Sequence, residues 1–142
     1  MNTFNELEQI LEIREVFHLK KEKRGKLLIV DDNFEIIYAL EEILKEYFEV
    51  LNAHSCEDAV QMLDNSIKIV ILDIKMWGKD GFETFSLLKN KCPGVKIVFH
   101  SAYPGNNLNA LKAEFFSHSG YYTKGEYKSK DLIYDLIKLL EE

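Results

Sequence analysis

The chain has few cysteines, and their placement excludes two classes of small protein. Only Cys56 and Cys92 occur among the 142 residues, and they lie far apart and form no CxxC pair. The spacing therefore predicts neither a zinc site nor a disulfide framework. Free thiols are typical of a reducing compartment, so we expect a cytoplasmic protein.

The sequence also lacks long apolar runs and a positively charged N-terminal segment. The longest apolar stretch, residues 67–74, is interrupted by Lys68 and Asp73, whereas a membrane-spanning helix needs about 20 apolar residues. Three glutamates fall within the first 12 residues, where a secretory peptide needs a basic start and an apolar middle. We therefore expect neither a membrane segment nor a secretory leader.

The chain also lacks an excess of positive charge. Its 18 Lys and Arg residues are outnumbered by 24 Asp and Glu residues, which gives a formal net charge of −6. Proteins that bind the phosphate backbone of nucleic acids are usually basic, so we do not expect direct binding of nucleic acid. The composition, 46% hydrophobic and 30% charged, is that of a soluble globular protein of one domain.

From Lys26 onward, short apolar runs alternate with amphipathic stretches. The runs predict five strands, at residues 27–30, 49–53, 67–72, 95–99 and 120–123. Three of these runs are continuous and rich in β-branched residues, as strands covered on both faces must be. The stretches between them repeat apolar residues at three- and four-residue steps, which indicates helices. Five alternations predict a three-layer α/β fold with a parallel sheet and helices on both sides.

Capping-box patterns mark two of the predicted helix starts. Asp32 followed by Glu35 predicts that Asp32 caps the first helix of the repeat, and Thr3 followed by Glu6 marks an extra helix before it. We therefore expect an N-terminal amphipathic helix and basic connector over residues 1–25, and the α/β domain over residues 26–142. The extra helix either braces its own domain or serves dimerisation or docking, and the sequence leaves both open.

Polar side chains follow the predicted strands where those strands end. Asp31 and Asp32 come after the first strand, Asp73 after the third, Ser101 after the fourth and Lys124 after the fifth. Open α/β folds bind ligands at this edge of the sheet. Three clustered carboxylates raise one another's pKa unless a cation is bound, and oxygen ligands without His or Cys favour Mg²⁺. A carboxylate beside Mg²⁺, with an ammonium and a hydroxyl, suits phosphoryl transfer.

At these residues the chain resembles the receiver domain of two-component response regulators. The matching elements, in order, are Asp31–Asp32, Asp73 within LDIKM, Asp80–Gly81, Ser101–Ala102, and Tyr121 three residues before Lys124. The resemblance covers nearly everything from Lys26 to the end. It implies a flavodoxin-like (βα)₅ doubly wound sheet of strand order 2-1-3-4-5. It also implies a phosphorelay switch that catalyses its own Mg²⁺-dependent aspartyl phosphorylation and dephosphorylation rather than a classical enzyme.

The same resemblance implies an acceptor and a set of metal ligands. Asp73 would accept a phosphoryl group from a histidine kinase or a histidine phosphotransfer protein. Asp32, Asp73 and the main-chain carbonyl of Lys75 would ligate Mg²⁺ directly, and Asp31 would act mainly through water.

The resemblance further implies a switch. Ser101 and Lys124 would hold the phosphoryl oxygens, and the ring of Tyr121 would turn inward once Ser101 moves towards them. The face formed by the fourth helix, fifth strand and fifth helix would then change shape for a downstream protein. The sequence also leaves a homodimer open, without assigning it a surface.

The chain departs from the family pattern at two positions beside this site. Trp77 follows Met76, and Gly125 follows Lys124, where the family usually has proline. We expect a trans peptide bond before Gly125, because a cis bond without proline costs about 3–4 kcal/mol. Either departure affects a loop that carries a predicted site residue.

Other functions fit parts of the pattern. The chain ends soon after its fifth predicted helix, so we expect a stand-alone receiver that signals by protein contact or phosphotransfer. The main alternative is an interaction module that keeps this fold without phosphorylation. A phosphatase of the haloacid-dehalogenase type would resemble D-x-D at the nucleophile strand, where this chain has Lys75. A flavin carrier shares the fold, but no residue argues for flavin.

Overall fold

The computed structural model describes residues 5–11, 23–103, 107–114 and 116–142, and within them five parallel strands form one sheet. The strands are β1 (Lys26–Val30), β2 (Glu49–Ala53), β3 (Ile67–Leu72), β4 (Lys96–Ser101) and β5 (Gly120–Thr123). The helices after them are α1 (Phe34–Leu44), α2 (Cys56–Met62), α3 (Gly81–Lys91), α4 (Leu108–Ala113) and α5 (Ser129–Leu140). The strand order β2-β1-β3-β4-β5 confirms the predicted flavodoxin-like topology.

Helices cover both faces of the sheet, which gives the predicted three layers. Alternate residues of β1 point to opposite sides, so Leu28 and Val30 join the apolar cluster under α2, α3 and α4. Leu27 and Ile29 join the second cluster, which is closed by α1 and α5. All four residues are fully buried, which explains why the strand sequence is a continuous apolar run rather than an alternating one.

The start of α1 differs from the prediction. The N-cap is Asn33, whose side chain accepts hydrogen bonds from the amides of Glu35 at 2.9 Å and Ile36 at 3.4 Å. Asp32 is therefore not the cap. It lies one residue too early to reach these amides, and its carboxylate accepts a hydrogen bond from the amide of Trp77 instead.

Residues 5–11 are helical and contact the beginning of α5. Glu6 lies 3.6 Å from the ammonium of Lys128 and 4.0 Å from that of Lys130. Leu7 and Leu11 are half exposed on this segment, so both a bracing and a docking role stay open. Thr3 and residues 12–22 lie outside the described residues, and the predicted boundary at residue 25 stays a prediction. No helix in the described ranges is long and apolar enough to cross a bilayer.

Gly81 brings the start of α3 against the backbone that follows β3. Its amide donates a 2.7 Å hydrogen bond to the carbonyl of Ile74, and a Cβ at this position would lie 2.2 Å from the carbonyl oxygen of Asp73. The side chain of Asp80 caps the helix by accepting from the amide of Phe82. Because only glycine permits this approach, the loop between Asp73 and α3 is held close to the end of β3.

Substituting Gly81 by alanine is expected to lower the free energy of unfolding by about 1–3 kcal/mol, because the added methyl group overlaps backbone atoms. Urea unfolding measures the change. The matched control is Gly94→Ala, where a Cβ meets nothing within 4 Å and the expected change is within about 0.5 kcal/mol. Equal stability of the two variants would contradict the close approach.

Candidate functional site

Three carboxylates meet at the carboxyl end of two neighbouring strands. Asp31 and Asp32 follow β1 and Asp73 follows β3, and these strands pair in parallel with Val30 opposite Leu72. One oxygen from each of the three carboxylates lies within 4.8 Å of the others. Asp31 and Asp73 are buried and Asp32 is half-buried. The structure thus brings together the acidic residues that the sequence places at this edge.

One ammonium group is shared between the two buried carboxylates. Lys124, the residue after β5, places its Nζ atom 2.9 Å from Asp31 Oδ2 and 3.2 Å from Asp73 Oδ1. The amide of Lys124 donates a 2.7 Å hydrogen bond to the carbonyl of Ser101, which ties this lysine to the end of β4. Three carboxylates and one ammonium leave a net negative charge in a largely buried site.

This excess of negative charge controls the proton affinity of Asp73. Burial and the negative charges of Asp31 and Asp32 together raise the pKa of Asp73 to about 7, against the opposing effect of the Lys124 ammonium. Burial by itself would lower the pKa of Lys124, but the carboxylates of Asp31 and Asp73 outweigh it, so that pKa is raised. The lysine is therefore charged at neutral pH, whereas Asp73 is close to its midpoint.

The donor atoms fit a hard divalent cation. The cluster offers carboxylate oxygens only, which is the donor set of Mg²⁺ rather than zinc. Asp31 Oδ2 is buried, and the partner that the described part of the chain gives it is the Lys124 ammonium at 2.9 Å. A cation beside the three carboxylates would remove the repulsion that raises the pKa of Asp73.

The predicted switch residues are linked through one residue of the loop after β4. The Oγ atom of Ser101, which is fully buried, accepts a 3.0 Å hydrogen bond from the amide of Tyr103. The hydroxyl of Tyr121 donates a 2.8 Å hydrogen bond to the carbonyl of the same residue. Tyr122, the next residue on β5, points to the other face and donates to Asp135 at 2.6 Å. The two tyrosines therefore face opposite sides, as the alternation along a strand predicts.

The two family departures have different consequences. Gly125 has a φ of +77°, a left-handed conformation that favours glycine, and no peptide bond between described residues is cis. The expected trans bond is therefore present. Trp77 exposes 89% of its surface, while its amide donates a 3.1 Å hydrogen bond to Asp32 Oδ2. This backbone contact with the acidic cluster could not be read from side-chain patterns.

A partly buried polar pair next to the site was not predicted from the sequence. The Nε2 atom of His100 lies 2.8 Å from the hydroxyl of Tyr127, and both residues line a cavity of about 260 Å³ between α1 and the loop after β5. Burial, with the nearby Lys124 charge, lowers the pKa of His100 to about 4, so its imidazole is neutral. The position of His100, directly before Ser101 on a buried strand, was the available signal.

Replacing Asp73 by asparagine is expected to stabilise the metal-free protein, by about 1–3 kcal/mol at pH 8 and by less at pH 5. The pKa of Asp73 is raised from 3.8 to about 7 in the folded chain. Stability from this carboxyl is therefore fully present below pH 3.8 and is lost as the pH rises to about 7. The neutral amide of asparagine does not lose stability in this way. Urea unfolding of the parent chain and the variant at both pH values measures the difference in their free energies of unfolding. A difference that does not change with pH would contradict the raised pKa of Asp73.

Comparison with known proteins gives a family. The family model of the response regulator receiver domain matches residues 27–132. The transcriptional regulatory protein CpxR of Escherichia coli K12 is 42% identical over 66 residues, which cover 46% of this chain and 28% of CpxR. The chain spans about a quarter to a half of the length of the curated relatives it matches.

Solved structures agree with this assignment. The BeF₃-activated receiver domain of DrrB, a Thermotoga maritima protein, superposes with a TM-score of 0.75 at 21% identity and covers 83% of this chain and 98% of that domain. The response regulator protein TrrA of Thermotoga maritima, solved in complex with Mg²⁺-BeF, gives a TM-score of 0.69 at 28% identity and covers 81% of this chain and 98% of TrrA. The chain belongs to the receiver domain family of two-component response regulators.

Proposed function

We propose that Asp73 accepts a phosphoryl group and that the chain is a phosphorylation-activated switch of a two-component phosphorelay. The observation that carries the proposal is the position of the Lys124 ammonium, 2.9 Å from Asp31 and 3.2 Å from Asp73. An ammonium group fixed at this position can neutralise both the acceptor carboxylate and an incoming phosphoryl oxygen. The receiver domain is proposed to span residues 26–142.

The transfer is a substitution at phosphorus. An oxygen of ionised Asp73 attacks the phosphorus in line, a P–O bond forms, and the P–N bond of a phosphohistidine donor breaks, so that the imidazole leaves with the electron pair. Lys124 and the hydroxyl of Ser101 are the proposed partners of the phosphoryl oxygens. Dephosphorylation is the attack of water on the acyl phosphate, so the chain would catalyse reactions of its own side chain.

The carboxylate cluster is the proposed Mg²⁺ site. Asp32, Asp73 and the main-chain carbonyl of Lys75 are the proposed direct ligands, and Asp31 acts through water. When bound, Mg²⁺ supplies positive charge to the acceptor and the transferring group. The oxygen-only donors and the Mg²⁺-BeF complex of TrrA support this assignment.

The proposed partners are proteins. A histidine kinase or a histidine phosphotransfer protein supplies the phosphoryl group, and a downstream protein or a second copy of the chain binds the face of α4, β5 and α5. Leu108 exposes 82% and Leu111 45% of its surface on that face. Direct binding of nucleic acid is not proposed, because the chain carries a net charge of −6. The proposed location is the cytoplasm, and no feature of the described residues favours a phosphorylation-independent module.

Acetyl phosphate with Mg²⁺ is expected to add about 80 Da to the intact chain, the mass of one phosphoryl group formed by acyl transfer. Asp73→Asn is expected to show no gain. Asp80→Asn is the matched control, since Asp80 caps α3 outside the carboxylate cluster and asparagine also caps helices. This variant should be labelled like the parent chain. No gain on the parent chain, or an equal gain on the Asp73 variant, would overturn the proposal.

Replacing Tyr121 by phenylalanine is expected to reduce the response of the α4–β5–α5 face to activation, because its hydroxyl holds the carbonyl of Tyr103. The measurement is the set of backbone amide shifts in NMR spectra with and without beryllofluoride and Mg²⁺. The control is Tyr38→Phe, which removes the hydroxyl of a 65% exposed tyrosine on α1, outside that face. Equal shift changes in the two variants would show that Tyr121 is not part of the switch.

A further inference from the structure

We infer that the contact between His100 and Tyr127 fixes the loop that carries Lys124, and so positions the ammonium group of that lysine at the carboxylates. The Nε2 atom of His100, on β4, lies 2.8 Å from the hydroxyl of Tyr127, the third residue after Lys124. The inference rests on the proposed phosphoryl transfer, in which Lys124 acts. It assigns positioning roles to two residues outside the proposed site.

The backbone of Lys124 has to be fixed because its side chain is long. Lysine carries its charge on a flexible four-carbon stem, yet the Lys124 Nζ atom lies 2.9 Å from Asp31 and 3.2 Å from Asp73. The family usually has proline directly after this lysine, and proline fixes φ. This chain has Gly125 there, at a φ of +77°, and glycine restricts the backbone least of all residues. The restriction therefore has to come from another contact of the loop.

The loop is attached to β4 at two successive residues of that strand. The amide of Lys124 donates a 2.7 Å hydrogen bond to the carbonyl of Ser101. The hydroxyl of Tyr127 reaches the side chain of His100, which directly precedes Ser101. The tyrosine ring also packs edge-on against the imidazole, with the ring centroids 5.5 Å apart. Packing against α1 contributes less, because a cavity of about 260 Å³ lies between that helix and the loop.

The imidazole of His100 is suited to hold the tyrosine. The residue is 3% exposed, and its Nδ1 atom is buried without a hydrogen-bond partner among the described residues. A neutral imidazole has one N–H and one acceptor nitrogen, and a hydroxyl can donate or accept, so either tautomer keeps the bond to Tyr127. Removing the hydroxyl would leave the Nε2 atom unpaired in a buried position, which costs more than the loss of an exposed hydrogen bond.

The direct test measures the reactivity of the Lys124 amine. Tyr127→Phe keeps the ring and removes the hydroxyl, and it is expected to make Lys124 about three- to tenfold more reactive, in line with the loss of one hydrogen bond. Brief treatment with an amine-acylating ester, followed by mass spectrometry of peptide fragments, gives the rate at each lysine. Lys89 is the internal reference, because its ammonium is bound to a backbone carbonyl just before β4, away from the loop. Tyr122→Phe is the matched control, since its hydroxyl binds Asp135 rather than the loop.

The functional test measures the rate at which acetyl phosphate with Mg²⁺ labels Asp73. Tyr127→Phe is expected to slow labelling by about threefold or more, because a shift of about 1 Å in a catalytic group can cost up to about 100-fold in rate. Tyr122→Phe should be labelled at the parent rate, and urea unfolding shows that both variants are folded.

Equal reactivity of Lys124 in the parent chain and the two variants would overturn the inference, whether or not the chain accepts a phosphoryl group. A faster reaction of Lys89 in Tyr127→Phe would overturn it as well, because it would show a general loss of stability. Unchanged labelling of Tyr127→Phe, despite a more reactive Lys124, would overturn the role in transfer. Absence of labelling in the parent chain would overturn the proposed function, and the reactivity of Lys124 would still decide whether the contact positions it.

Discussion

The site depends on one ammonium group held between two buried carboxylates. Asp31 and Asp73 would repel each other at the end of adjacent strands if Lys124 did not lie within 3.2 Å of both. A buried charge without a partner commonly costs 3–5 kcal/mol, roughly the scale of a domain's net stability. The lysine reaches this place because its own amide is bonded to Ser101 at the end of β4. The parallel sheet therefore places the lysine where its charge compensates the two carboxylates.

The remaining parts of the site follow from how the loops leave the sheet. The loop after β3 is drawn against the strand end by Gly81, and its Trp77 amide reaches Asp32. The loop after β4 carries Tyr103, whose amide and carbonyl bind Ser101 and Tyr121 respectively. A movement of this loop thus alters both hydroxyls together. The buried Ser101 next to the carboxylate cluster and the Tyr121 side chain on β5 are linked by backbone groups of a single residue, Tyr103.

The sequence was sufficient for the parts that depend on pattern. Continuous apolar runs gave the buried strands, and the residues after them gave the three carboxylates and Lys124, because parallel strands end at one edge. The sequence was not sufficient where the position of a contact depends on a shift of one residue or on a backbone atom. Asp and Asn are both favoured N-cap residues, so residue type alone does not distinguish Asp32 from Asn33. Asn33 is the cap because its side chain is close enough to the first helical amides to accept their hydrogen bonds. The His100–Tyr127 contact joins a strand to a loop 27 residues away, which no local period reveals.

The raised pKa of Asp73 has a consequence for the stoichiometry of cation binding. With a pKa of about 7, this carboxyl carries a proton in a substantial fraction of the molecules at neutral pH. A metal would bind the ionised form, so a cation entering the cluster at neutral pH would displace a proton from those molecules in which Asp73 carries one. The heat of binding would then include the ionisation heat of the buffer that takes up those protons. Acidification of the surroundings would weaken cation binding through the same carboxyl that is the proposed phosphoryl acceptor.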